Sequence, residues 1–264
     1  MVVAYDGAPF HGFALQSEVP TVAGALAEAI ARSLQLPEPP QLTCAGRTDA
    51  GVHAIGQVVS LDLPDPLPPY RGVERSASSL VDSLNKQLAP SIVVREAAPA
   101  EPDFDARFSA TWRRYRYLIW NAPQADPLLA PQAWHVAQPL DRMAMLAAVD
   151  CFVGPHDFRA FCRRPPGTSA ADPLPRTVTS TALRVVQDAH VADLGEGTLY
   201  RFEIQANAFC HQMVRSIVAQ VVDVGLGRST PADAVALLRS GSRQGAAQPA
   251  PSHGLCFLAV GYGS

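Results

Sequence analysis

Hydrophobic residues recur along this chain in two spacings, one typical of helices and one typical of strands. Apolar side chains three or four residues apart predict helices at 22–34, 79–88, 141–153 and 209–224, and a last helix that opens at 231. Alternating or short apolar runs predict strands at 2–5, 42–45, 57–63, 92–95, 111–121, 177–186, 198–206 and 255–262. Half-polar strands favour antiparallel pairing, so we predict an α+β fold with a mostly antiparallel central sheet flanked by helices.

The pattern also divides the chain into two parts. Residues 96–102 are typical of a linker, and each side of it holds about two helices with three or four strands. We therefore predict an N-terminal half at 1–100 and a C-terminal half at 101–264. The Pro-, Gly- and Ser-rich stretch at 163–176 predicts a mobile loop.

The strongest helical pattern is the one at 209–224. Phe209, Met213, Ile217 and Val221 form one apolar stripe, and Arg215 falls at the margin of that stripe. An arginine at the edge of a core either meets a partner there or extends its head group to solvent. Periodicity alone favours the second interpretation.

Composition places the chain among ordinary globular proteins. Of its 264 residues, 48% are hydrophobic and 17% are charged, which excludes a disordered chain. No apolar run approaches the roughly 20 residues that span a bilayer, and no secretion signal is evident, so we expect a cytoplasmic protein. Five widely spaced cysteines without a C-x-x-C motif argue against a disulfide framework and against a zinc site. We expect the five to be small buried side chains in a reducing compartment.

The charge balance hides an excess of arginine. The net charge is −3, which is unusual for a protein that binds nucleic acid, but Lys86 is the only lysine among 21 basic residues. Arginine binds phosphate through two parallel hydrogen bonds and stacks on bases. Arg113, Arg114 and Arg116, with Arg107 nearby, could form a local basic surface. Exposed strand arginines in surface ion pairs explain the same pattern equally well.

An acid and a base are separated by one residue in the loop at 44–54. Arg47 and Asp49 lie between Gly46 and Gly51, and strand-like residues precede and follow them. Glycine permits a positive φ or the close approach of another backbone. A lone Asp-Ala-Gly is usually a turn whose carboxylate accepts from local amides, and only the complete string favours another interpretation.

That string, Gly-Arg-Thr-Asp-Ala-Gly-Val-His-Ala at 46–54, resembles the catalytic loop of the TruA-type tRNA pseudouridine synthases, in which the aspartate is indispensable. Further blocks resemble this family at 5–7, 21–22, 84–85, 104–109, 154–158, 176–177 and 253–255. The resemblance implies the pseudouridine synthase fold, with two pseudo-related ferredoxin-like halves around a catalytic cleft. It also implies an isomerase that needs no cofactor and no metal.

The resemblance assigns roles to individual residues. Asp49 would be the nucleophile, Tyr115 would stack on the base, and Arg215 would pair with Asp49. The implied RNA-binding residues are basic side chains in both halves: Arg47, His53, Arg107, Arg113, Arg114 and Arg116. Histidines such as His53 are more often hydrogen-bonding structural residues, and we place none in the catalytic core.

The same resemblance implies the substrate. Family members act on uridines at positions 38, 39 and 40 of the tRNA anticodon stem-loop, flip the base out, and bind tRNA as homodimers. Attack of Asp49 on C6 of the base and attack on C1′ of the ribose both stay open. A non-catalytic RNA-binding module would lack the acid. A carboxylate-pair hydrolase would need a second acid, and none lies within ten residues of Asp49.

Three departures from the family pattern affect the expected RNA contacts. The family opening has more chain ahead of its first strand, so we expect a shortened first strand or a late start here. Phe13-Ala14 stands where the family has Trp or Phe followed by Gln, and Ala219 stands where it has Gly after Ile217-Val218. None of these changes touches the three residues assigned to the chemistry.

Overall fold

The computed structural model describes residues 1–69, 72, 74–164, 167, 169, 172–187 and 196–263. The chain forms two compact units, one of residues 1–111 with 257–264 and the other of residues 112–256. The predicted halves at 1–100 and 101–264 stay a prediction, since compactness alone does not fix where a repeat begins. No helix among the described residues is long and apolar enough to span a membrane.

The first unit is an antiparallel sheet with two helices. Its elements are β1 (Val2–Tyr5), α1 (Val22–Leu34), β2 (Thr43–Cys44), β3 (His53–Ser60), α2 (Ala77–Leu88) and β4 (Ile92–Glu96). Strand β1 pairs with both β3 and β4, and β2 pairs with β3, so the order is β4-β1-β3-β2.

The second unit is also a mostly antiparallel sheet with helices, and its described residues form one more α-helix than those of the first unit. Its elements are β5 (Ala110–Asn121), β6 (Trp134–Val136), α3 (Arg142–Asp150), β7 (Gly154–Asp157), β8 (Pro175–Val185), β9 (Thr198–Ala206), α4 (Met213–Gly225) and α5 (Pro231–Ser240). Antiparallel pairing gives the order β5-β9-β8-β7, and β6 adds a short parallel pairing to β5. The last strand, β10 (Leu255–Tyr262), belongs to the first unit from Phe257 onward and lies next to β3.

The two units share one internal order of elements. The first runs β1-α1-β2-β3-α2 and places β3 between β1 and β2. The second runs β5-α3-β8-β9-α4, apart from β6 and β7, and places β9 between β5 and β8. A strand inserted between two earlier strands in both units is the ferredoxin-like arrangement. The predicted α+β class and the mostly antiparallel sheet are therefore confirmed, and both units have the ferredoxin-like order of elements, while the predicted boundary between the halves stays a prediction.

Helix caps and apolar periodicity in the sequence predicted the positions of most helices and strands. Thr21 caps α1 by accepting from Gly24 N at 3.2 Å, and Thr230 caps α5 with Asp233 completing the capping box. Strands β1, β9 and β10 have the predicted bounds. In β9 the alternate side chains are buried, as predicted: Tyr200, Phe202, Ile204 and Ala206.

Several predicted bounds were wrong. Helix α4 begins at Met213 and not at 209, because Gln212 has a φ of 65° and a left-handed residue cannot continue a right-handed helix. Strand β3 begins at His53 and not at 57, because Ala54 already pairs with Tyr5 in β1. Helix α2 is capped by Ser76, and Ser79 is its third residue. The short strands β6 and β7 were missed, and residues 165, 166, 168, 170 and 171 of the predicted loop lie outside the described residues.

Candidate active site

The Asp49 loop is held in place by backbone hydrogen bonds within the first unit. Phe13 N donates to Thr48 O at 3.0 Å, which ties the loop to the segment before α1. Val52 N donates to Asp49 O at 3.1 Å and closes a turn. Because these bonds use main-chain atoms, they hold the main chain at residue 49 independently of the conformation of its carboxylate.

A buried glutamine supports the start of the loop. Gln57 on β3 has no exposed surface, and its side-chain amide donates to Gly46 O at 2.6 Å and accepts from Gly46 N at 3.3 Å. The same amide lies 3.4 Å from the hydroxyl of Tyr5, which in turn lies 2.8 Å from Thr48 Oγ1. This network joins β1 and β3 to both sides of Arg47.

Replacing Gln57 with leucine tests that support. The change keeps the side-chain volume and leaves both polar groups of Gly46 without their partner, so the free energy of unfolding should fall by about 1–3 kcal/mol. Chemical denaturation of the two proteins measures the difference. Gln138, which is exposed, is the matched control, and Gln138→Leu should change stability by less than about 0.5 kcal/mol. Equal unfolding midpoints for wild type and Gln57→Leu would contradict the proposed support.

Two glycines ahead of the loop are required by close backbone contacts. A Cβ on Gly7 would lie 2.1 Å from Val52 O, and a Cβ on Gly12 would lie 2.8 Å from Thr48 O. Gly12 also has a φ of 97°, a backbone conformation that residues other than glycine rarely adopt. The opening segment therefore packs its main chain directly on the Asp49 loop, which gives a physical reason for these glycines in the opening motif.

The other predicted residues of this loop differ in exposure. Arg47 is exposed, and Asp49 is partly exposed beside it. His53 Nδ1 accepts from Gly7 N at 3.1 Å and lies 3.1 Å from Asp6 Oδ1. These contacts give His53 a structural role in the opening turn, and its part in RNA binding stays a prediction.

In the second unit, Tyr115 lies on β5 opposite Ile204 and is only 7% exposed. Phe209 meets it edge to face, with the ring centroids 5.0 Å apart and an interplanar angle of 84°. Phe209 was predicted to belong to the helical stripe, but it precedes α4 and packs on Tyr115 from the connecting segment. This contact fixes the plane of the tyrosine ring.

The three neighbouring arginines divide between two faces of β5. Arg113 shares the face of Tyr115 and donates to Asn207 O at 3.0 Å. Arg114 lies on the opposite face, donates twice to Gln205 Oε1 at 3.0 and 2.7 Å, and has its guanidinium 5.4 Å from the Trp112 ring centroid. Arg116 falls on the face of Arg114. These three arginines therefore do not form one continuous basic surface.

Helix α4 places Arg215 at the edge of a core. Every residue of this helix is buried except Arg215 and Asp223. Arg215 Nε donates to Ala250 O at 2.6 Å, and Ala250 N donates back to Arg215 O at 3.1 Å. Of the two interpretations of the sequence pattern, a partner at the core margin is the one observed.

The segment that holds Arg215 also contacts β5. Tyr117 is fully buried, and its hydroxyl donates to Pro251 O at 2.7 Å. Burial raises the pKa of Tyr117, and the charge of Arg215 offsets part of that rise. A Cβ on Gly254 would lie 2.5 Å from Tyr117 Cζ, so this glycine is required by the tyrosine ring. Tyr117, Arg215 and residues 250–254 thus form one packed group.

A disulfide joins Cys162 to Cys210, with 5.7 Å between their Cα atoms. The sequence argued against a disulfide framework, and this single pairing was not predicted. They are 48 residues apart in sequence, but Arg163 N donates to His211 O at 2.9 Å and brings the two segments together. Cys44, Cys151 and Cys256 form no disulfide within the described part of the chain, and Cys44 and Cys256 are buried as predicted.

The described residues thus divide the predicted site between the two units. The first unit holds Arg47, Asp49, His53 and Arg107, and the second holds Arg113, Arg114, Tyr115, Arg116 and Arg215. No group of three His, Cys, Asp or Glu side chains within the described ranges is placed to bind a metal. Sequence reasoning missed Gln57 and the contact of Phe209 with Tyr115. The available signal for Gln57 was a polar residue at the start of an apolar strand pattern.

Comparison with known proteins agrees with the predicted family. Residues 148–263 match the family model described as tRNA pseudouridine synthase. A tRNA pseudouridine synthase A of Frankia casuarinae is 42% identical, over 98% of this chain and 87% of that protein. The enzymes of the same name in Cutibacterium acnes and Methylacidiphilum infernorum are 38% and 37% identical, each over 99% of this chain and over 88% and 94% of their own lengths.

The similarity extends over nearly the whole chain and includes both units, not only the segment that carries the Asp49 loop. Identities of 37–42% over 98–99% of a chain do not arise from a shared short motif. The prediction of the family is therefore confirmed, and the chain belongs to the tRNA pseudouridine synthase A family, a family of isomerases.

Proposed function

We propose that this protein converts uridine to pseudouridine at positions 38, 39 and 40 of the tRNA anticodon stem-loop, with Asp49 as the nucleophile. The observation that carries the proposal is the loop at 46–54, whose main chain is fixed by bonds from two other segments of the first unit. A carboxylate carried on a fixed main chain suits covalent catalysis, because the loop needs little reorganisation when the carboxylate attacks.

The reaction needs no redox partner. The N1–C1′ glycosidic bond breaks, the base turns, and C5 bonds to C1′, while N1 gains a proton and C5 loses one. A carboxylate that attacks C1′ of the ribose displaces N1 and is itself displaced when C5 bonds to C1′, whereas a carboxylate that attacks C6 of the base leaves after the new carbon–carbon bond has formed. Both routes remain open, and both assign the covalent step to Asp49.

The target base must leave the helical stack before Asp49 can reach it, so we propose base flipping. Tyr115 is the aromatic residue proposed to contact the flipped base. Only 7% of its surface is exposed, so we expect the contact along one edge of the ring and not over its whole face. Arg215, anchored at Ala250, is the proposed cation that stabilises negative charge during the reaction.

The remaining proposals concern RNA contacts and assembly. Arg47 is exposed next to Asp49 and is proposed to hold the flipped-out state. Arg107, Arg113 and His53 are proposed to contact RNA, as are Arg114 and Arg116, although these last two lie on the β5 face opposite Tyr115. We further propose a cytoplasmic homodimer that works without a cofactor, as the family resemblance implies.

The test is direct. The purified protein is incubated with an unmodified tRNA transcript that carries uridine at positions 38, 39 and 40, and pseudouridine is mapped by base-resolved chemical probing. We expect signal at these positions and none in transcripts with cytidine there. Signal at a different uridine would overturn the assigned positions, and binding without any product would favour a non-catalytic RNA-binding protein.

A further inference from the structure

An aromatic side chain stands exposed on a rigid turn of the first unit. Phe108 is 79% exposed, yet the turn that carries it is closed by several hydrogen bonds. The carboxylate of Asp105 accepts from Arg107 N at 2.7 Å and from Phe108 N at 2.8 Å. Asp105 N also donates to Ser109 Oγ at 3.1 Å, so both ends of the turn are fixed.

The turn is anchored to the sheet beneath it. Ala106 is fully buried, its amide donates to Ser60 Oγ at 3.1 Å, and its carbonyl accepts from the Tyr262 hydroxyl at 2.9 Å. Phe104 packs on Tyr262 with the ring centroids 4.9 Å apart. The residues just ahead of Phe108 are therefore anchored on the unit, while the Phe108 ring itself stays exposed to solvent.

Exposure of a phenylalanine forgoes the stabilisation that burial of an aromatic ring provides. A mobile segment could fold such a ring against the surface, but this turn is too tightly bonded to do so. The guanidinium of Arg107 lies 5.3 Å from the centroid of the Phe108 ring. A flat ring beside a cation is the combination that binds the face of a base and the phosphate next to it.

The turn lies close to the start of the Asp49 loop. Ser60, which receives the Ala106 amide, pairs with Thr43 on β2, and β2 leads into the loop. The turn is therefore connected to the start of the Asp49 loop through the pairing of β2 with β3.

We propose that Phe108 is a base-stacking residue, which packs on a nucleobase of the RNA substrate outside the isomerised nucleotide while Arg107 binds the adjoining phosphate. The inference rests on the proposed function for its substrate class. RNA is favoured over a protein partner because the exposed ring is paired with a guanidinium, which complements a phosphate, and because bases present flat faces for stacking.

The experiment compares Phe108→Ala, Phe108→Leu and Phe108→Trp with wild type by the Kd for an unmodified tRNA transcript at fixed salt. Loss of one stacking contact should raise Kd about 5- to 150-fold in the alanine variant. Tryptophan should restore affinity, whereas leucine should not, since it keeps apolar area without a flat ring. Leu128→Ala, which removes another exposed apolar side chain (77% exposed), is the matched control and should bind as wild type does.

Each other outcome has a distinct meaning. An unchanged Kd for Phe108→Ala, or full affinity in Phe108→Leu, would overturn base stacking. A fall in molar mass by light scattering in Phe108→Ala would assign the ring to an interface between copies of this chain instead. Failure of wild type to make pseudouridine while it binds tRNA would refute the proposed function alone, and failure to bind tRNA would refute both. Unchanged melting temperatures would show that the variants are folded.

Discussion

The Asp49→Asn variant should make no detectable pseudouridine while it binds the tRNA transcript within a few-fold of wild type. Asparagine has nearly the shape of aspartate, and the variant retains the main-chain bond from Val52 N to the carbonyl of residue 49. Its amide is not a nucleophile, so the covalent step is lost. Removal of a covalent nucleophile costs about 10⁴-fold or more in rate in well-studied enzymes. Base-resolved mapping of product, with binding measured in parallel, checks both expectations.

The control for this variant is Asp62→Asn, which makes the same chemical change at an exposed residue of the first unit outside the loop. It should retain wild-type turnover. Measurable turnover in Asp49→Asn would remove Asp49 from the role of nucleophile. A large loss of tRNA binding in the same variant would instead assign the carboxylate to the fold of the loop.

The second large effect is expected at Arg215, where loss of the side chain should lower both activity and stability. Arg215→Ala removes the bond from Nε to Ala250 O, and a hydrogen bond to a charged donor contributes about 1.5–3 kcal/mol. In a chain of this size each kcal/mol shifts the melting temperature by about 2–4 °C. Loss of a preorganised cation should also lower turnover by about 10²- to 10³-fold.

Two further variants separate these contributions. Arg215→Lys keeps the positive charge but loses the planar fork, so it should recover part of the activity. Arg228 is a more exposed arginine just beyond the end of α4, and its guanidinium pairs with Asp223 at 3.6 Å. Arg228→Ala should leave activity unchanged. Full activity with a normal melting temperature in Arg215→Ala would exclude this residue from the site.

Local signals in the sequence were sufficient for most of the fold. The caps at Thr21 and Thr230 and the alternation in β9 are decided by neighbouring residues, so they could be predicted without tertiary information. The start of α4 could not, because the left-handed conformation of Gln212 breaks a pattern that the apolar spacing continues. The short strands β6 and β7 form by pairing to β5 and β8, and they carry too few residues to show a period.

Some features of the candidate site could likewise be predicted from the sequence, and others could not. Asp49 and Arg215 were predicted as site residues from the resemblance of their motifs to the family, and their roles stay a prediction. The support from Gln57 was not found, since its partner Gly46 lies eleven residues away and the bonds use main-chain atoms. The pairing of Cys162 with Cys210 depends on two segments meeting 48 residues apart, which spacing alone does not reveal.

The strand β10 imposes a condition on the order of folding during synthesis. Residues 257–264 complete the first unit, where β10 lies beside β3 and Gly56 packs on the carbonyl of Leu258. Tyr262 also supplies the hydroxyl that holds the turn carrying Phe108. On the ribosome, residues 1–111 must therefore wait with an unfinished sheet edge until the second unit has been translated. Domains usually fold as they emerge, N-terminal first, and such exposed edges favour misassociation, so early chaperone binding would protect this one.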